Sequence, residues 1–306
     1  MWESLAATSD PLAWLAIGAF VATIGLDLLN RRSVATRVGG VAWIVFAAFW
    51  LAMFPYFYFD MQSPLQSVLS LAAIPLCLIA GYHLFRGRTS LLLLSRAVGI
   101  MGLIYLPAML YEPVTRWLIE TVAIQTHAGM ELLGYSPGIE QGQNGYQSRF
   151  AFTGYSTYIV LACTGIGSMA IFGGLIAATS ADIRRKVLAI GLAVTIIWIL
   201  NLARNVFVGL AAPLGWFDYP ALEAFTFTIA GPGMVTSYFI AHNIISQSLA
   251  VVALVGIAYL CMRIVPEILD VIGQALFLLT GTEYELHAAV DQPALRADGG
   301  ERDDSV

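Results

Sequence analysis

The feature that most constrains this chain is a succession of apolar runs, each about as long as a bilayer is thick. A spanning helix needs roughly 20 predominantly apolar residues. Such runs occupy residues 11–30, 40–59, 65–85, 91–111, 155–179, 187–212 and 236–264. A further apolar stretch, 268–280, is shorter and follows Pro266, so it reads as an interfacial helix, with an eighth span as the alternative. Only 11% of the residues are charged and 58% are hydrophobic, whereas a soluble domain carries about 25% charged residues. Lipid must solvate most of this surface. The expected fold is an all-α, polytopic membrane helix bundle of about seven transmembrane helices.

Orientation follows from the short loops. Arg31, Arg32 and Arg37 follow the first run, Arg86 and Arg88 the third, and Arg184, Arg185 and Lys186 the fifth; Arg263 closes the seventh. All lie on one side, which the positive-inside pattern makes cytoplasmic. Loops on the other side carry chiefly Arg116 and Arg149, among acids such as Asp60, Glu112 and Glu131. The expected topology is N-out and C-in. The first ten residues are polar and acidic, without the basic region of a cleavable signal.

Residues 1–280 read as one membrane-embedded domain, and 281–306 as an acidic cytoplasmic tail expected to be disordered. The outer-face segment 112–154 divides in two. Its first part, 114–133, mixes apolar residues with Glu120, His127 and Glu131, like an amphipathic helix on the membrane surface. Its second part, 134–154, is rich in Gly, Ser, Gln and Asn and reads as a loop. The outer loop 213–233 carries Trp216, Phe217, Tyr219, Phe225 and Phe227, which suit the headgroup interface. A net charge of −5 argues against a nucleic-acid partner. Lys186 is the sole lysine, a usage that fits a high-salt or GC-rich organism. Cys77, Cys163 and Cys261 sit in separate apolar runs, which is neither a disulfide framework nor a zinc spacing. No metal or cofactor is expected.

Three residues inside the runs call for chemistry. Arg204, in Leu202-Ala203-Arg204-Asn205, lies about two turns, or roughly 10 Å, below the outer end of its helix. An Arg at helix-centre depth costs roughly 2.5–3.5 kcal/mol on insertion scales and is a functional residue by default. Snorkelling to the headgroups is the plain alternative, although the helix continues apolar for about 12 Å beyond it. Cys163, with Gly167, Ala170 and Gly174 at i, i+4, i+7 and i+11, is expected on one face of small side chains that lets a neighbouring helix approach. A cysteine in an apolar helix is more often a packing residue. His242 lies early in the seventh run, at the depth of the other two, with Asn243 beside it. It reads equally as a hydrogen-bonded packing histidine. A bis-His haem lacks a partner, since His83 is near the inner face. A cysteine nucleophile acts as its thiolate, which neighbouring cations favour, and an Arg stabilises an oxyanion, so acyl transfer is the chemistry these groups share. Asp27 and Arg96, near the inner face, are expected to pair or snorkel.

With Ala162-Cys163-Thr164-Gly165 and Leu202-Ala203-Arg204-Asn205 on consecutive runs, the sequence resembles the exosortase/archaeosortase family, the archaeosortase A type most closely. The match covers the fifth to seventh runs, which makes 155–264 the catalytic spans. The resemblance implies a cysteine transpeptidase at the outer face of the cell membrane. Its clients would be surface-protein precursors, such as an S-layer glycoprotein, that end in a Pro-Gly-Phe-type motif, a transmembrane helix and a basic end. A membrane lipid would accept the acyl group. It implies Cys163 as the acyl-thioester nucleophile and Arg204 as proton donor or oxyanion stabiliser. The third position falls on His242, as transition-state stabiliser or base, with Asn243 as the fallback; the archaeal type would carry Arg there. The rival class is a transporter or channel using Arg204 to bind an anionic solute. Against it stand the lack of an internal repeat and the presence of Cys163.

Overall fold

The computed structural model describes residues 8–60 and 64–287. The expected helix bundle is what forms. Helices α1 (Ser9–Leu28), α2 (Arg32–Pro55, extended by a π turn over Tyr56–Asp60), α3 (Pro64–Phe85) and α4 (Leu91–Leu110) follow the first four apolar runs. They pack around Phe20, Trp43, Cys77, Leu84 and Leu91, and Trp43 Nε1 donates to Ser95 Oγ at 2.9 Å. Helices α5 (Glu112–Leu132), α6 (Ile166–Ala178), α7 (Ile183–Ala211), α8 (Pro220–Ala230), α9 (Thr236–Ile264) and α10 (Ile268–Thr280) complete the set. Among the described residues six helices are long and apolar enough to cross a membrane: α1, α2, α3, α4, α7 and α9. Two more, α6 and α10, are shorter apolar helices.

The fifth run departs from a simple span. Residues 155–158 form a strand, Leu161–Thr164 a 3-10 turn, and the α-helix begins only at Ile166. Gly165 makes the break, at φ +77, a backbone conformation that glycine adopts without steric cost. Cys163 therefore does not sit on the helix face expected from its spacing to Gly167. The small-residue face itself does admit a neighbour: a Cβ at Gly174 would lie 2.6 Å from the Ala97 carbonyl oxygen of α4.

Segment 112–154 is more ordered than its composition predicts. In place of a loop, strands β1 (Gly138–Gln141), β2 (Gln147–Phe152) and β3 (Tyr155–Tyr158) form an antiparallel sheet in the order β1-β2-β3. Gly154, at φ +83, turns β2 into β3, with Phe152 opposite Tyr155. The sheet holds because Phe150 and Tyr146 bury against Ile119, Val122 and Met130 of α5 and Leu210 of α7. Helix α5 has the expected single apolar stripe, and Trp198 Nε1 donates to its Gln125 Oε1 at 3.0 Å, docking it on α7. The aromatic loop 213–233 contains α8, which starts at Pro220, where a proline's missing N–H is not needed.

At the opposite end the basic residues are tied down. Arg96 Nη2 meets Asp27 Oδ2 at 2.8 Å, the pairing expected for two charges near a membrane face. Arg185 donates to both carboxylate oxygens of Glu267 at 2.9 Å, and Lys186 Nζ caps the end of α6 through the carbonyls of Ala177 and Thr179. Helix α10 lies across this end, burying Ile268, Val271 and Phe277, and at 13 residues it is about 20 Å long, short of a 30 Å core. Of the acidic tail, residues 281–287 fold back, with Arg88 on Glu283 at 2.7 Å and His287 on Asp270 at 2.9 Å; 288–306, like residues 1–7, lie outside the described residues.

Candidate active site

The site is assembled where the Cys163 turn meets α7 and α9. Non-helical backbone at membrane depth is tolerated only where protein satisfies its polar groups. Here α7 supplies that satisfaction. Asn201 Nδ2 and Asn205 Nδ2, one helical turn apart, both donate to the carbonyl oxygen of Cys163, at 2.6 and 2.8 Å. The turn is closed locally by Cys163 N–H on Val160 O at 2.8 Å and Thr164 Oγ1 on Leu161 O at 2.7 Å. A Cβ on Gly165 would press on Asn201, so glycine also lets the clamp approach. Cys163 itself is a free, half-buried cysteine.

Arg204 lies between the two clamping asparagines in sequence but reaches the other way, to α9. Its Nη2 is 2.9 Å from His242 Nε2. A guanidinium only donates, so Nε2 must accept. The imidazole is then neutral with its proton on Nδ1, which donates to Asn243 Oδ1 at 3.0 Å. Tyr238 stacks on the His242 ring, centroids 4.9 Å apart and planes 11° apart, which fixes the ring's orientation. This part of α9, Phe239–Ser246, is a π-helical segment, a form that recurs at functional sites. Arg204 makes no other hydrogen bond among the described residues, which leaves the rest of its five donors for a ligand.

All four residues singled out from the sequence thus fall in one locus. Cys163 joins through its backbone, Arg204 and His242 through a direct hydrogen bond, and Asn243 through the second ring nitrogen of His242. Among the described residues no group of three or more His, Cys, Asp or Glu is placed to hold a metal ion.

A family model described as transmembrane exosortase (Exosortase_EpsH) matches residues 2–245, most of the chain. The chain belongs to the exosortase family. Two curated relatives are each named archaeosortase A. The one from Natronomonas pharaonis is 43% identical over 289 residues, 91% of each chain. The one from Haloferax volcanii is 43% identical over 297 residues, 91% of this chain and 96% of the relative. No solved structure matches the chain.

For this exosortase the matched region contains every site residue named above. The sequence did not reveal the double clamp on Cys163 or the stacking of Tyr238. The available signals were the i, i+4 spacing of Asn201 with Asn205 and of Tyr238 with His242, each of which puts two side chains on one helix face.

Proposed function

We propose that Cys163 is the nucleophile of a thioester-forming transpeptidation, with Arg204 as its oxyanion partner and His242 as the group that orients Arg204. As a member of the exosortase family the chain is a membrane-embedded cysteine transpeptidase that processes C-terminal sorting signals of surface proteins. One observation carries the residue assignment. The nucleophile's turn is fastened to α7 by Asn201 and Asn205, which flank the arginine that α9 holds through His242. A thiol and an unspent guanidinium edge are thereby fixed to the same stretch of one helix.

In this reading the sulfur attacks the scissile carbonyl, the C–S bond forms, the C–N bond breaks, and the thiol proton ends on the departing amine. The carbonyl oxygen, negative in the tetrahedral intermediate, receives N–H donors from Arg204. An amine or hydroxyl of a membrane lipid then attacks the thioester, the new acyl bond forms, the C–S bond breaks, and the proton given up by the lipid restores the thiol. His242 Nε2 is occupied as an acceptor, so it acts by positioning rather than as the base. A precursor with a Pro-Gly-Phe-type motif, a transmembrane helix and a basic end is the client this scheme requires, and the outer face is where the site works. The transporter reading has no support from the family and leaves the clamp on Cys163 without a purpose.

Hydroxylamine provides the test, because it intercepts thioesters. Precursor incubated with the purified enzyme in vesicles and hydroxylamine should be released with a C-terminal hydroxamate, seen by mass spectrometry. Cleavage that yields only a free carboxylate would remove the thioester. Sidedness is checked separately. A membrane-impermeant thiol reagent should label Gln141→Cys in intact cells and Asp298→Cys only after permeabilisation; the reverse pattern would put the site inside and end this reading.

A further inference from the structure

A crevice of about 340 Å³ opens between α6, α7 and α9, directly beside the Cys163 turn. Its lining is both polar and apolar. Ser168, Asn201, Arg204 and Ser246 line it near the Cys163 turn, with Phe207 one helical turn beyond Arg204. Away from them the wall is apolar and ends at Ile257, about 16 Å further along α9. Ala250 and Ala253 leave the space open on the α9 side. Leu200 and Leu249 at its rim are 45% and 62% exposed, so the crevice opens sideways to whatever surrounds the bundle.

We propose that this crevice holds one hydrocarbon chain of a membrane phospholipid, with the lipid's phosphate against Arg204, and that this lipid is the acyl acceptor. The inference rests on the transpeptidase reading and names the seat of its second substrate. Three observations select the occupant. A cationic, hydroxyl-lined head region continuous with an apolar groove is complementary to an amphiphile with an anionic head. The volume fits a slender chain, whereas a client transmembrane helix, about 10 Å across and 30 Å long, occupies roughly 2,400 Å³. The head region also shares Asn201 with the clamp on Cys163, so a nucleophile on the lipid head arrives beside the thioester carbonyl. Attack there forms the bond to the lipid, breaks C–S and releases the head group's proton, which restores the thiol.

The probe is a phosphatidylglycerol carrying a diazirine on one acyl chain, in phosphatidylglycerol vesicles containing the purified full chain. Irradiation should label residues 249–257 of wild type. Ala253→Trp should lower that label by roughly tenfold, since a bulky ring in a filled cleft displaces the chain outright. Ala253→Leu, a milder change, should lower it less. Val255→Trp, on the exposed outer face of the same helix, should leave it unchanged. With precursor present, Ala253→Trp should shift product from lipid-linked to hydrolysed, while Val255→Trp should not. Label that survives both Ala253 variants overturns the proposal, as does label competed away by a saturating client transmembrane segment. These outcomes are separable from failure of the transpeptidase reading. Hydroxamate formation with a label indifferent to Ala253 condemns the crevice alone, and the absence of hydroxamate condemns the chemistry.

Discussion

Replacing Cys163 by Ser should stop precursor processing, with a loss on the order of 10³-fold or more, the expected result if the proposed nucleophile works with its neighbours. The serine hydroxyl has no comparable anionic form at neutral pH, and the thiolate is the reactive species. The variant is informative because the clamp grips the backbone. Asn201 and Asn205 bond to the Cys163 carbonyl and not to its sulfur, so the turn keeps its place while the thiol is lost. Cys77→Ser and Cys261→Ser supply the contrast. Both sites are buried in packed clusters away from the Cys163 turn, so those variants should process precursor normally. Conversion is read by mass spectrometry of the client, with immunoblots to show equal protein in the membrane. Full activity of Cys163→Ser would make Cys163 a packing residue.

Arg204→Lys should nearly abolish processing although it keeps the charge. A lysine ammonium keeps the positive charge, but it lacks the planar fork that presents further donors at a fixed angle. Losing one such donor costs about 10²–10³ in rate, or roughly 3–4 kcal/mol. Precursor binding should survive if a client helix docks along the bundle and not on one side chain. Intact precursor should therefore co-purify with both Arg204→Lys and Cys163→Ala. Processing by Arg204→Lys at close to the wild-type rate would reduce Arg204 to a membrane-embedded charge with no part in the chemistry.

The parts legible in the sequence are those set by local rules. In lipid each backbone group must find its partner nearby, so helix-length apolar runs announce spans, and six of the seven runs are long apolar helices here. The cost of an uncompensated charge marks Arg204, and pairs Asp27 with Arg96. The sheet was not legible. Segment 134–154 is loop-like in composition, and its strands exist because Phe150 and Tyr146 find an apolar bed on α5 and α7. The fifth run misled for a related reason. Its composition is that of a span, but Gly165 adopts a left-handed conformation, and side chains from a different helix stabilise the turn before it.

By itself, then, the sequence determined that this is a polytopic helical membrane protein with a thiol, a guanidinium and an imidazole inside its apolar runs. Only the tertiary structure decided what each of them touches. Asn201 meets the Cys163 carbonyl, and Arg204 meets His242, each across 38 residues of chain. Such contacts depend on how three helices cross, which no local periodicity encodes. The same crossing fixes the His242 tautomer, since a donor-only guanidinium at Nε2 leaves the proton on Nδ1. It also opens the crevice beside Cys163, which Gly165, Ala203, Ala250 and Ala253 line with little or no side chain.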